Sequence, residues 1–253
     1  MKTKQTTLDG RFAGILGSEY EKLLRAMPHY LELQNAIALH AAKALPFPRP
    51  AKLRMVLDLG CGTGLTTCAL MHVVKWATIV AVDKEPTMLQ QYKRNIIQGR
   101  KSALVDYGLV VKAFQSDILT FLKGCKKNSF DAVVSGFVLH NLPKALRAEI
   151  LKEVGRVLRP EGVFVNGDKI APDDIDLHNK YLMQQLTTFV KTYTAPEDAA
   201  YCIGWIEHYA VDNQPELRYT EAEVNSSLKA AGFRNVKIVE RHCMEAVVVA
   251  TKK

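Results

Sequence analysis

The chain predicts an α/β fold: a parallel sheet of seven strands that ends in one reversed strand, covered by helices. Three observations carry this. Strand-like apolar runs alternate with helix-period segments from residue 53 to residue 169, the signature of a parallel sheet with helices on both faces. Two further strand-like runs, 235–242 and 245–252, have only Cys243 and Met244 between them, and strands so close can only pair antiparallel. Finally, VLDLGCGTG (56–64) sets three glycines behind a buried apolar run, where a strand turns into its helix.

Taken in order, SEYEKLLRAMPHYLELQNAIALHAAKAL repeats its apolar residues at helical spacing, and Pro28 divides it into two helices. PFPRP (46–50) reads as a stiff linker. LRMVLDLG (53–60) is the first strand and LTTCALMHVVK (65–75) its helix; TIVAVD (78–83) is the second strand. PTMLQQYKRNIIQG (86–99) is a helix, with proline in its first turn and glycine at its end. GLVVKAFQSD (108–117) contains the third strand and FDAVVSGF (130–137) the fourth; PKALRAEILKEVGRVLR (143–159) is a helix closed by Pro160, and GVFVNGDK (162–169) is the fifth strand. Residues 172–216 read as helical, and TEAEVNSSLKAAG (220–232) is a helix before the final hairpin.

The 253 residues, 48% hydrophobic and 24% charged, suit one well-buried α/β domain. No apolar run reaches the ~18 residues of a spanning helix, and MKTKQTTLDGRF lacks the apolar centre of a signal peptide, so neither a membrane span nor a leader is expected. Five cysteines (Cys61, Cys68, Cys125, Cys202, Cys243) are odd in number and form no C-x-x-C pair. That argues against a zinc cluster or disulfide framework, and it fits a reducing cytoplasm. The net charge of +8 is polarised: residues 84–127 hold nine bases and three acids, whereas 168–223 hold four bases and eleven acids. Whole-chain charge is therefore no nucleic-acid footprint.

The glycine stretch selects a cofactor class. A dinucleotide fingerprint requires G-x-G-x-x-G or A; here Leu65 stands at the third spaced position and the pattern is G-x-G-x-G. Asp58, two residues ahead of the loop, would meet a diphosphate at an electrostatic cost but suits the ammonium of a methionine moiety. Asp83 ends the second strand, where an acid accepts from a ribose diol in either cofactor class; as a lone residue it also reads as a turn former. Asp117 in Ser116-Asp117-Ile118 also reads as a helix N-cap.

Together, VLDLGCGTG, Asp83, Ser116-Asp117-Ile118, FDAVVSGFVLHNLP, VGRVLRPEGVFVNGDK and the closing hairpin resemble the class I S-adenosylmethionine-dependent methyltransferases, over about 53–170 and 220–252. The resemblance implies a Rossmann-like methyltransferase sheet, S-adenosylmethionine as cofactor, and Asp117 at the adenine amino group with Ile118 on the ring. It implies a cofactor-binding set of Asp58, Gly60, Cys61, Gly62, Gly64, Asp83, Lys84, Met88, Asp117, Ile118 and Ser135. Residues 1–50 would form an N-terminal helical cap and 51–253 the methyltransferase domain, with 172–216 inserted as a helical lid.

Ser135-Gly136-Phe137-Val138 replaces the N/D-P-P-Y or F motif of amino-group methyltransferases, and no cysteine follows the fourth strand as in C5-cytosine enzymes. No metal cluster is expected: Asp173, Asp174 and Asp176 read as a helix start. MPHYLELQ, GDK (167–169) and the helical insertion also resemble the carboxy-S-adenosylmethionine synthase family, which serves wobble-uridine modification in tRNA. A carboxylated cofactor needs a cationic partner, and residues 172–216 contain no arginine, only Lys180 and Lys191. The favoured reading is methyl transfer to a small-molecule acceptor, with a cation suited to the acidic lid. The alternatives are the carboxylated-cofactor synthase and, through the basic 84–127 stretch, an RNA methyltransferase. A vestigial, merely binding protein is disfavoured because Asp58, the loop glycines, Asp83 and Asp117 are all present.

His140, His208 and Tyr209 are the catalytic candidates. Asn141, Lys169, Arg241, His242 and Met244 lie at other strand ends, and Tyr30, His178, Tyr181, Trp205 and Glu207 lie in the cap and lid. Each has a plainer reading: His140 as a cap or packing residue, Glu207-His208-Tyr209 as a polar helix face, Trp205 and Tyr209 as core. No membrane partner is expected, and a homodimer is compatible with the sequence.

Overall fold

A computed structural model describes residue 12 and residues 14–45, 53–102 and 108–253. The start of the chain, the PFPRP linker and Asp106 lie outside the described residues, as does the expected boundary between cap and domain. One sheet runs in the order β3-β2-β1-β4-β5-β7-β6. Its strands are β1 (Arg54–Leu59), β2 (Ala77–Asp83), β3 (Val110–Gln115), β4 (Phe130–Gly136), β5 (Leu158–Lys169), β6 (Phe233–His242) and β7 (Glu245–Lys252). The first five pair in parallel, β7 enters antiparallel against β5, and β6 pairs antiparallel with β7 at the edge. The expected seven-stranded order and final hairpin are therefore present.

Burial follows position in the sheet. β1 and β2 are flanked by strands on both sides and covered by helices on both faces, so their apolar runs are almost fully buried. β3, at the edge, keeps Val110 and Phe114 exposed. Helices α3 (Leu65–Val73) and α4 (Pro86–Ser102) pack on one face, where α2 (Tyr30–Ala44) buries Leu33, Ile37 and Ala41 against β4, β5 and β7. Helices α5 (Ile118–Gly124), α6 (Lys144–Val157) and α9 (Glu221–Ala230) cover the other. α5 is an element that apolar period over so short a run does not predict; Asp117 starts it by accepting from Thr120 N at 2.8 Å.

Two sequence boundaries move. The segment before Pro28 forms only a short α1 (Ile15–Ser18) and a 3-10 turn (Tyr20–Arg25), and Gly17 packs so closely on the Phe12 backbone that a Cβ there would collide with it. α6 ends at Val157, before Pro160, and β5 begins at Leu158, whose pairing with Phe130 captures the chain early. The 172–216 segment is two helices, α7 (Ile175–Thr192) and α8 (Ala199–Asp212), and Asp174 caps α7 by accepting from Asp176 N and Leu177 N, as the acidic run suggested.

Beyond the carboxyl ends of the strands, α7 and α8 pack with residues 16–30 in an apolar cluster rich in aromatics, including Tyr30, Phe189, Tyr193, Tyr201, Trp205 and Tyr209. Lys22 and Arg25 pair with Asp198 across this layer, at 3.4 and 3.0 Å. No described helix is long and apolar enough to cross a membrane.

Candidate active site

A cavity of about 400 Å³ opens at the carboxyl ends of β1, β2 and β4. Of the cofactor residues expected from sequence, Gly60, Cys61, Gly62, Asp83, Lys84, Met88, Asp117 and Ile118 line it. Asp83 organises the loop: Oδ2 accepts from Gly62 N at 2.8 Å and Oδ1 from Glu85 N at 2.8 Å. Burial raises its pKa, against the lowering effect of those two amides. Asp117 lines the cavity and also caps α5.

Three expected residues do not line it. Asp58 is completely buried one layer below, where Oδ2 accepts from Thr67 Oγ1 at 2.5 Å while Oδ1 has no hydrogen-bond partner. Burial pushes its pKa up to about 7, partly opposed by Thr67. Gly64 caps α3 at φ +91°, and a Cβ there would come within 2.8 Å of the Tyr92 ring. Ser135 is fully buried within β4. By contrast, Gly62, at φ +51°, has no atom nearer than 3.9 Å to a built Cβ, so bare backbone does face the cavity there.

A second, small cavity of about 20 Å³ lies beyond Phe137. His140, His208 and Tyr209, the catalytic candidates, all line it, together with Lys169 and Trp205. Phe12, Tyr20, Phe137 and Asn141 line both cavities. The roof between them is aromatic: Tyr30 stacks on Phe137 with centroids 4.5 Å apart, and the Tyr20 and Tyr30 hydroxyls lie 2.8 Å apart. Trp205 and Tyr209 are both buried in the aromatic cluster, so they are core residues that also form cavity wall.

The polar groups beneath the small cavity form one buried network. Asp168, at the end of β5, accepts from Leu139 N (2.9 Å), His140 N (3.3 Å) and Lys169 N (3.0 Å), and its carboxylate pairs with His140 Nδ1. Because that oxygen is an acceptor, the network assigns the His140 proton to Nδ1 and the lone pair to Nε2. Nε2 lies 3.7 Å from Asp212 Oδ2. The same Asp212 oxygen meets Lys169 Nζ at 2.5 Å and His208 Nε2 at 3.2 Å. Burial alone would raise Asp212, but Lys169, His208 and His140 together hold it well below the usual carboxylate range. Lys169 Nζ also sits 4.0 Å from the centre of the Tyr209 ring.

Asp168 and Asp212 were counted in the sequence only as part of an acidic field. The available signal was the i, i+4 spacing of His208 and Asp212 on α8, and Asp168 beside the strand-end Lys169. The remaining lid acids do not line the larger cavity, and Glu207 is exposed, so the acidic charge is mostly turned outward. His178 is buried outside both cavities; Arg241 pairs with Glu221 and holds Ile170 O at 3.0 Å.

The cavity suits S-adenosylmethionine on its own chemistry. A turn with an open backbone at Gly62 and a carboxylate at each of two neighbouring strand ends match a cationic, diol-bearing adenosine ligand.

Comparison with known proteins agrees. A family profile described as a methyltransferase domain matches residues 57–166. The chain is 29% identical over 159 residues to a carboxy-S-adenosyl-L-methionine synthase of Yersinia enterocolitica, a match covering 62% of this chain and 54% of that protein. The chain thus spans about half the length of the curated relatives it matches. Among solved structures, an O-methyltransferase family protein from Burkholderia thailandensis shares the fold at a TM-score of 0.64 and 14% identity, covering 97% of this chain and 63% of that one. Magnesium protoporphyrin IX methyltransferase from Synechocystis PCC 6803, solved with bound S-adenosylhomocysteine (SAH), aligns at a TM-score of 0.56 and 15% identity, covering 89% and 84% of the two chains. The loop, the strand-end carboxylates and the sheet order agree with these matches: over residues 57–166 the chain is similar to a methyltransferase domain, and its fold is that of S-adenosylmethionine-dependent methyltransferases.

Proposed function

We propose that the protein transfers a methyl group from S-adenosylmethionine to a small acceptor bearing a hydroxyl or amino nucleophile, with His140 as the general base. The observation that carries this reading is the shared wall: Phe137 and Asn141 line both the cofactor-sized cavity and the small cavity in which His140 stands. Asp83 would hold the ribose diol, Asp117 and Ile118 the adenine, and the Gly60–Gly62 backbone the methionine end, above Asp58. When bound, S-adenosylmethionine supplies an electrophilic methyl on a sulfonium.

The chain's own residues do the rest. His140 Nε2 takes the proton of the acceptor, and Asp168 fixes the ring through Nδ1. The imidazolium so formed lies between the carboxylates of Asp168 and Asp212. The aromatic roof of Phe12, Tyr20, Tyr30 and Trp205 excludes water and limits the acceptor to a small molecule.

A panel of small amines and phenols incubated with S-adenosylmethionine, read as SAH formation, tests the reading. His140→Ala should lower turnover about 10²–10⁴-fold with SAH affinity unchanged. Full turnover in that variant would remove His140 from the mechanism.

A second reading rests on the sequence similarity to carboxy-S-adenosyl-L-methionine synthase. Lys180 and Lys191, the lid cations, line neither cavity, and Lys169 is engaged by Asp212, which favours methyl transfer. Prephenate added with S-adenosylmethionine decides between them: a carboxylated sulfonium by mass spectrometry would replace the methyl-transfer reading.

A further inference from the structure

We propose that His29, Glu32 and His242 form a surface site for a borderline transition-metal ion of the zinc class, clasping the start of α2 to the β6–β7 hairpin. The three ligand-capable atoms lie within 4.8 Å of one another. They come from two parts of the chain more than two hundred residues apart, at the start of α2 and at the end of β6. His29 Nδ1 lies 2.7 Å from Glu32 Oε2, one helical turn away. The His242 ring lies parallel to that of His29, with centroids 4.3 Å apart and planes 9° apart.

Two imidazoles and one carboxylate select zinc, nickel or copper rather than magnesium or calcium, whose ligands are oxygens. Metal–ligand bonds of about 2.0–2.2 Å would bring the ligand atoms to about 3.3 Å apart. The His29–Glu32 pair is already closer than that, held by the proton that a metal would replace. Tilting one of the two stacked rings brings the third ligand in. The side chains of His29 and Glu32 are 48% and 63% exposed, so rotation meets little packing, and water can complete the coordination.

The buried group of His140, His208 and Asp212 also brings ligand-capable atoms together. There the cation position is taken by Lys169 Nζ, 2.5 Å from Asp212 Oδ2, and a divalent ion would meet that ammonium. The surface group's ion pair is His29 with Glu32, and farther along the same two elements His40 meets Glu240 at 3.2 Å. His29 directly precedes Tyr30, which roofs the cofactor cavity, so an ion at the clasp would hold that roof against the sheet.

The test is titration calorimetry of Zn²⁺ into tag-free, chelator-stripped protein, with thermal melting in parallel. One saturable ion per chain is expected, unaffected by excess Mg²⁺ and accompanied by a rise in melting temperature. His242→Ala and His29→Ala should each weaken binding at least about tenfold, and Glu32→Gln should weaken it without disturbing the fold. His40→Ala and Cys243→Ser should bind as wild type. No Zn²⁺ binding, binding that survives the His29→Ala/His242→Ala double variant, or binding lost in Cys243→Ser would each overturn the site.

Discussion

The two halves of the active-site region are built on opposite plans. The cofactor cavity is held by backbone: Asp83 fixes the loop through the amides of Gly62 and Glu85, and β1, β2 and β4 supply the floor. The small cavity is held by side-chain charge: Asp168, Asp212, Lys169, His140 and His208 meet from β5, α8 and the loop after β4. A backbone-held site uses short sequence stretches and tolerates change in the side chains around it. A charge-held site depends on groups far apart in the chain, and each one sets the cost of losing the others.

The comparison can be broken hardest at Asp212. Asp212→Ala leaves Lys169, His208 and His140 gathered without that carboxylate, and should destabilise the fold by about 3–5 kcal/mol in chemical denaturation. The folded pKa of Asp212 is depressed, so its contribution is complete above the unfolded value of about 4 and disappears only as pH falls through the lower, folded value. The gap between wild type and variant should therefore stay constant from pH 5 to 8. A gap that closes within that range would contradict the charge-held plan.

Asp58 tests the other half with the opposite sign. Its folded pKa is raised to about 7, so the folded state holds the proton more tightly than the unfolded chain. Stability should therefore fall as pH rises from about 4 to about 7. Asp58→Asn keeps an acceptor for Thr67 and should be more stable than wild type above pH 7, by an amount on the order of a few kcal/mol, with the advantage fading toward pH 4. Equal stability at pH 8 would show that the buried carboxylate is relieved by something else.

A smaller effect is expected at Asp83. Asp83→Ala should weaken SAH binding at least about tenfold, roughly 1.4 kcal/mol, and a change within about twofold would detach this residue from the ribose. The smallest belongs to the exposed strap: Arg25→Ala breaks the 3.0 Å pair with Asp198, but Lys22 remains and Arg25 is half exposed. A loss under about 1 kcal/mol is expected in thermal denaturation; a larger one would make the strap part of the site's support.

The same contrast explains what was legible in the sequence. VLDLGCGTG, Asp83 and Asp117 are local signals, since a loop and two strand ends suffice to place them, and the strand alternation fixed the sheet around them. Ser135 and Gly64 are expected as ligand contacts from the family resemblance; pattern alone does not say that Ser135 is fully buried within β4 or that Tyr92 fills the space beside Gly64. His140, His208 and Tyr209 were recognisable by type, whereas their partners were not. Asp168 lies 28 residues from His140 and Lys169 lies 43 from Asp212. Counting lid acids as one field concealed that Asp168, Asp198 and Asp212 are buried, while most others face solvent.

Phe137 carries one further consequence. Its backbone sits at φ +58°, a region that costs a bulky residue about 1–3 kcal/mol, and it is held there by donation from its N–H to Gly167 O at 2.8 Å. Glycine at this position would relax the backbone and remove the ring that divides the two cavities. Drift toward stability alone would thus erase the partition, so persistence of an aromatic side chain at this position across generations would itself record selection for keeping the two cavities apart.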